Sequence, residues 1–207
     1  MQLEGEHVFK GPREEVYAMF RDPEVLASAV PGAQSLTKID DQHFEGAMNI
    51  RIGPVSGSFS GKVEVANEVY PEKFTLIVEG RGAPGFAKGS GDVELIDQGD
   101  GTTLFKYSGD VQIGGTLASV GQRMIDSVAK SIIKTAFETL DKALEARLAA
   151  KAGSDPVEFK APTQAEFAAA VTKDMTSGLS QVAEVRMLFY VIPLIVVLVI
   201  VAYLLSH

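Results

Sequence analysis

The chain has 207 residues, of which 46% are hydrophobic, and it carries 27 acidic and 19 basic side chains, for a formal net charge of −8. The first 150 residues hold 22 acidic and 15 basic groups, which argues against a nucleic-acid-binding protein because phosphate backbones need a basic surface. There is no cysteine, so disulfides, thiolate metal sites and thiol nucleophiles are excluded. The three histidines, His7, His43 and His207, have no metal-ligand spacing, and we therefore predict no metal site.

The chain begins with the pattern of a strand followed by two short helices. Residues 2–9 alternate between polar positions and the set Leu3, Gly5, His7 and Phe9, which is typical of a half-buried strand. Gly11-Pro12 and Asp22-Pro23 then place a proline in the first turn of each helix, and the second helix is predicted to end near residue 29.

The middle of the chain has the pattern of consecutive strands joined by tight turns. We predict six antiparallel strands after the two short helices, which form a sheet with one buried face. Turn sequences such as Gly53-Pro54 and residues 98–101 separate the alternating segments. Five of the six strands are located by this alternation, at residues 44–52, 55–65, 73–80, 87–97 and 102–113.

A long amphipathic helix is predicted after Gly114 and Gly115. Apolar side chains recur at helical spacing over residues 117–149, and charged side chains fill the opposite face. A helix of this length needs a surface to pack against. The sequence therefore predicts an α+β fold in which a strongly curved antiparallel sheet wraps around the terminal helix, and in which the helix does not fill the interior completely.

Two further segments follow the predicted domain of residues 1–150. Residues 151–186 have the composition of a linker, in which Thr163 and Glu166 have the spacing of a helix-capping box and favour a juxtamembrane helix. Residues 187–205 contain no charged side chain, and as a helix they would extend about 28 Å, close to the hydrocarbon thickness of a bilayer. Residues 1–10 show no secretory signal. We predict one C-terminal transmembrane helix, which anchors the chain in the cell membrane by its tail with the N-terminal domain in the cytoplasm.

An apolar cavity between the sheet and the long helix is the candidate site. Glycines on the same strand faces would either leave volume or let the helix approach closely, and the sequence does not separate these outcomes. An apolar lining is what a prenyl chain or an acyl tail requires, although each residue alone also fits plain core packing. Phe86, in the glycine-rich hairpin of residues 80–91, is predicted to form an apolar lip at the cavity mouth. The predicted lining is Phe44, Met48, Ile50, Phe59, Phe74, Leu76, Phe86, Phe105, Tyr107, Val120, Met124 and Ile125.

The chain resembles the CoxG family, named for a subunit of carbon monoxide dehydrogenase, which belongs to the START/polyketide-cyclase-like helix-grip superfamily, also called SRPBCC. The resemblance covers about residues 1–148. Its most specific parts are the Asp-Pro and Pro-Gly pairs within residues 22–32 and the G-G-x-L-A-x-x-G-x-R segment of residues 114–123. The segments that carry it are 9–36, 45–65, 80–95 and 111–132.

The resemblance implies a helix-grip fold with an apolar cavity that binds a lipid, a sterol, a quinone or another apolar molecule. It also implies an association with molybdenum hydroxylases of the carbon monoxide dehydrogenase type. In that role the protein would recruit the enzyme to the membrane and couple it to the quinone pool by binding menaquinone. The family is not known as catalytic, and no covalent cofactor is implied.

We therefore expect a membrane-anchored, non-enzymatic protein that binds a menaquinone-type quinone or a lipid. Two alternatives stay open at this point. The first is a membrane docking adaptor with a filled core and no ligand. The second is a cyclase-like enzyme, which is disfavoured because the predicted lining contains few titratable groups.

Overall fold

The computed structural model describes residues 1–52 and 54–153, which form seven strands, three α-helices and one short 3-10 helix. The strands are β1 Gln2–Phe9, β2 Ala33–Lys38, β3 His43–Ile52, β4 Val55–Val69, β5 Lys73–Gly82, β6 Gly85–Asp97 and β7 Thr103–Gly114. The helices are α1 Arg13–Phe20, α2 Pro23–Ala29 and α3 Gln122–Lys151, and the 3-10 helix is Gly115–Val120.

All seven strands belong to one antiparallel sheet with the order β1-β7-β6-β5-β4-β3-β2. Strands β2 to β7 follow each other as a meander, and β1 pairs with β7, so that Phe9 lies opposite Thr103. This arrangement confirms the predicted α+β fold with a one-sided antiparallel sheet and a long C-terminal helix. It includes β2, which the sequence pattern did not locate individually.

Three glycines lie side by side in neighbouring strands of the sheet. Gly46, Gly61 and Gly80 occupy opposing positions in β3, β4 and β5. A Cβ atom on Gly61 would lie 2.8 Å from the carbonyl oxygen of Glu79 in the neighbouring strand, so a side chain does not fit without movement of the backbone. β-Bulges, which add local bend and twist, interrupt the β2–β3 and β4–β5 ladders.

Helix α2 begins as the sequence predicted, whereas α1 begins at Arg13 with Pro12 as its N-cap residue instead of in its first turn. Asp22 caps α2, since its carboxylate accepts hydrogen bonds from the backbone N–H groups of Glu24 and Val25. Pro23 follows as the first helical residue, where its missing N–H costs nothing. Asp22 and Pro23 together therefore fix where α2 begins.

Helix α3 begins later than the apolar periodicity indicated. The predicted helix started at Leu117, but residues 115–120 form the 3-10 helix and α3 starts at Gln122. Gly121, between the two, has a φ of +90°, which an α-helix does not allow and which favours glycine. The predicted single helix is thus two elements separated by Gly121.

The core consists of two clusters of buried side chains that α3 touches at different points. The first cluster extends across the sheet, from Phe9 of β1 through Phe74 of β5 to Phe44 of β3, and includes Leu144 of α3. The second lies where the β3–β4 hairpin meets the 3-10 helix and includes Phe59 and Val128. Helix α3 is thus held against the sheet near its start by Val128 and near its end by Leu144.

Within the described residues, no helix is both long and apolar enough to cross a bilayer. The predicted linker from residue 154 onwards and the predicted span of residues 187–205 lie outside the described residues.

A two-lobed apolar hollow as the candidate functional site

A hollow with two lobes lies on the inner face of the sheet. Lobe 1 has a volume of about 410 Å³ and lies between α3 and strands β1, β5, β6 and β7. Lobe 2 has a volume of about 360 Å³ and lies between α2 and strands β2 to β5. Each volume falls in the range of about 300–1,000 Å³ that is typical of small-molecule sites.

The lobes share a wall, to which Phe20, Leu26, Val30, Leu76 and Val78 contribute. Val78 shows most directly that this space is not filled. It faces inward from the central strand β5, opposite Val63 and Gly89, yet 42% of its surface is exposed. Because an inward valine at the centre of a sheet is normally covered by core side chains, its exposure marks the junction of the two lobes.

Lobe 1 is bounded by aromatic side chains and by one face of α3. The helix contributes Ile133, Ala136 and Phe137 to the lining. The ring centroid of Phe137 lies 5.5 Å from that of Phe105 and 5.9 Å from that of Tyr107, distances typical of favourable aromatic pairs. These rings form a rigid apolar wall.

Lobe 2 has a floor of glycines and a cover from α2. Gly46, Gly61 and Gly80 line it from the sheet, and Leu26 and Val30 line it from the helix side. The sequence left open whether such glycines provide volume or let the long helix approach closely. A Cβ atom on Gly46 or Gly61 would meet the backbone of neighbouring strands rather than α3, so the close approach that these glycines permit is between strands, and lobe 2 lies over them.

Polar groups around the hollow are few and occupy defined positions. Burial raises the pKa of the Tyr107 phenol above its usual value, so this hydroxyl keeps its proton at neutral pH. His7 lies just beyond the lining, where its ring stacks on Phe137 at 4.7 Å and its Nε2 is 3.0 Å from Asp141 Oδ2. His7 is thus a hydrogen-bonded histidine that joins β1 to α3. Among the described residues, no group of three or more metal-ligating side chains is close enough together to hold an ion.

The structure brings most of the predicted lining residues to the hollow and places others elsewhere. Those that line a lobe are Phe44, Met48, Phe59, Phe74, Leu76, Phe105 and Tyr107. Ile50, Val120 and Met124 pack against the second core cluster instead, and Ile125 is buried on α3 outside both lobes. Whether any of these residues touches a ligand stays a prediction.

Phe86 differs most from its predicted place at the cavity mouth. Inward positions in β6 include Val93 and Leu95, which are buried, so the alternation of the strand puts Phe86 on the outer face. Its ring lies against Gly114, and 41% of its surface is exposed. It therefore forms no lip of either lobe, and residues 80–91 are mostly paired strand rather than a loose hairpin.

Several lining residues were missed by the sequence interpretation. Val63 and Val78 follow the same alternation as the predicted Phe59 and Leu76 and could have been found from it. The contributions of Leu26 and Val30 in α2 and of Ile133 and Phe137 in α3 depend on how the helices lie across the sheet, which no local pattern specifies.

Comparison with solved structures defines the class of fold. A START superfamily protein of Mycobacterium smegmatis superposes with a TM-score of 0.52 at 14% identity, over 70% of this chain and 97% of that one. The Zhui aromatase/cyclase of Streptomyces sp. R1128 gives 0.56 at 10% identity, over 74% and 98%. At these identities the likeness shows the fold alone: a START-like, helix-grip domain.

The particular family is shown by two stronger matches. A conserved protein of Geobacillus kaustophilus is 31% identical, with a TM-score of 0.67 over 70% of this chain and 95% of that one. The family model for CoxG, a subunit of carbon monoxide dehydrogenase, matches residues 5–145. The chain belongs to the CoxG family. A comparison with curated proteins gives no match.

Proposed function

We propose that this domain binds one apolar molecule in the two-lobed hollow and that the molecule is an isoprenoid quinone of the menaquinone type. The observation that carries the proposal is the unfilled space around Val78, which faces inward from the central strand β5 and is nevertheless 42% exposed. A docking adaptor without a ligand would have no need to leave lobes of about 410 and 360 Å³ between its sheet and its helices.

The chemistry of the lining supports an apolar ligand. Aromatic and aliphatic side chains and glycine backbone form both lobes, so burial of hydrocarbon would supply most of the binding free energy, at about 25 cal/mol per Å². A quinone with a prenyl chain, or a lipid, offers that surface. Among the described lining residues, Tyr107 is the titratable one whose side chain points into the lobes. A general acid–base mechanism needs partners of matched pKa, so binding is favoured over cyclase-like catalysis.

Membership of the CoxG family supports a role beside a molybdenum hydroxylase of the carbon monoxide dehydrogenase type. We propose that the chain recruits this enzyme to the membrane through the apolar segment of residues 187–205 and couples it to the quinone pool. The domain would face the cytoplasm. The charge-free segment of the sequence and the family carry this part of the proposal.

Purification of the full-length chain from membranes in mild detergent tests both parts. Organic extraction followed by mass spectrometry is expected to yield an isoprenoid quinone in near-stoichiometric amount. Proteomic analysis of the same preparation is expected to identify the molybdenum hydroxylase. The Val78→Trp variant, which places an indole at the junction of the lobes, is the control and should release little quinone.

The outcomes of the extraction separate the identity of the ligand from ligand binding itself. Recovery of a phospholipid in place of a quinone would overturn the quinone assignment and leave apolar-ligand binding in place. An extract without any apolar molecule, together with no binding of added menaquinone, would refute the ligand-binding function.

A further inference from the structure

Among the described lining residues, Tyr107 is the one whose polar side chain points into the hollow. The other polar residues at the lobes occupy outward positions of their strands, where alternation turns their side chains to the opposite face of the sheet. Their backbones, not their polar groups, border the space. In lobe 1 they are Lys88, Ser90, Asp92 and Ser108, and in lobe 2 they are Ser35, Ser60, Lys62 and Glu79, all of them exposed.

The Tyr107 hydroxyl has an apolar environment and no hydrogen-bond partner within the described part of the chain. Its ring lies 5.9 Å from that of Phe137 and 6.2 Å from that of Phe105, centroid to centroid. The end of the ring lies over Gly5 of β1, where an added Cβ would be 2.7 Å from Tyr107 Cζ. Tyr107 is half-buried in the ligand-free chain, and a ligand in lobe 1 would shield its hydroxyl from water. A hydroxyl removed from water without a hydrogen-bond partner costs free energy, so a bound molecule that supplies an acceptor is favoured.

We infer that Tyr107 Oη donates a hydrogen bond to the bound molecule, and that this molecule therefore carries a carbonyl-type oxygen at its lobe 1 end and hydrocarbon elsewhere. The inference rests on the proposed function, since it assigns the polar contact of that same site. A phenol that keeps its proton is a neutral donor, and a neutral acceptor is its matching partner in an apolar space.

The position of Tyr107 also sets the direction of the ligand. Tyr107 is on β7, which pairs with the edge strand β1, whereas lobe 2 lies under α2 at the β2 to β5 side and has no inward polar side chain among the described residues. The oxygen-bearing end then lies beside β7 and β1, and the hydrocarbon chain extends past Val78 toward the glycine floor of lobe 2.

Two probes of nearly the same shape test the inference on the full-length chain. 2-Methyl-1,4-naphthoquinone carries two carbonyl oxygens, and 2-methylnaphthalene carries none. Tyr107→Phe is expected to weaken binding of the quinone by about three- to tenfold, the effect of one neutral hydrogen bond, and to leave binding of the hydrocarbon unchanged. Tyr70→Phe, at a tyrosine that is 65% exposed outside the hollow, is the control and should change neither affinity.

Infrared spectroscopy detects the hydrogen bond directly, because loss of packing alone would not change the carbonyl stretching frequency of the bound quinone. The carbonyl stretch of the bound quinone is expected at lower frequency in the wild-type chain than in Tyr107→Phe. Equal effects of Tyr107→Phe on both probes, or no effect on either, would overturn the assignment while leaving apolar binding in place. If neither these probes nor a prenylated naphthoquinone binds the wild-type chain, the proposed function itself fails.

Discussion

The Val78→Trp substitution is expected to lower the affinity of the full-length chain for a prenylated naphthoquinone by at least tenfold. Val78 belongs to the wall that the two lobes share, so an indole at this position would occupy the junction through which a prenyl chain must pass. The added ring enters open volume and displaces no packed side chain. The free energy of unfolding is therefore expected to change by less than about 1 kcal/mol, below the usual cost of overpacking.

Ile77→Trp is the matched control, because Ile77 directly precedes Val78 in the same strand and faces the outer surface. It should leave the affinity unchanged. The chain has no tryptophan, so each variant also carries a single fluorescent reporter. Emission from Val78→Trp is expected at shorter wavelength than emission from Ile77→Trp. Equal affinities of the two variants for the prenylated quinone would contradict the two-lobed site.

The second large effect is on the free energy of unfolding, and it compares two leucines in different surroundings. Leu95 is 2% exposed in the first core cluster, and Leu95→Ala is expected to lower the free energy of unfolding by about 2–5 kcal/mol. Leu76 lines both lobes. Its side chain lacks packing partners on the side of the hollow, so Leu76→Ala is expected to cost roughly 1–2 kcal/mol in the ligand-free chain.

Urea denaturation of the two variants under identical conditions measures this difference. The comparison keeps the deleted atoms constant, since both substitutions remove the same part of a leucine. An equal loss of stability at both positions would mean that the space beside Leu76 is filled by protein in solution, and the ligand site would lose its basis.

The local patterns of the sequence predicted most of the sheet and its inward face. Alternation is a two-residue property of each strand, so Phe44, Phe59, Leu76 and Phe105 were assigned correctly to the inner side without knowledge of their neighbours. The same rule would have placed Phe86 on the outer face with Lys88, but the glycine-rich composition around it favoured a loop interpretation. The loop interpretation was wrong because the turn between β5 and β6 contains only Ala83 and Pro84, and the ladder continues to the pair Gly82 and Gly85.

The shape of the hollow depends on long-range packing that the sequence does not encode locally. Leu26 in α2 lines both lobes, and Phe137 in α3 lines lobe 1, because of the angle at which each helix crosses the sheet. The break at Gly121, with its φ of +90°, moved Val120 and Met124 toward the second core cluster. A continuous helix from Leu117 would have kept the same apolar periodicity, so the pattern alone did not distinguish the two.

An experimental electron-density map of the full-length chain loaded with a prenylated naphthoquinone tests the central claim most directly. The predicted result is continuous density through both lobes, with the ring system within hydrogen-bonding distance of Tyr107 Oη and the prenyl chain passing Val78 toward Gly61. Density from protein side chains packed through this space, with the quinone bound elsewhere or absent, would contradict it.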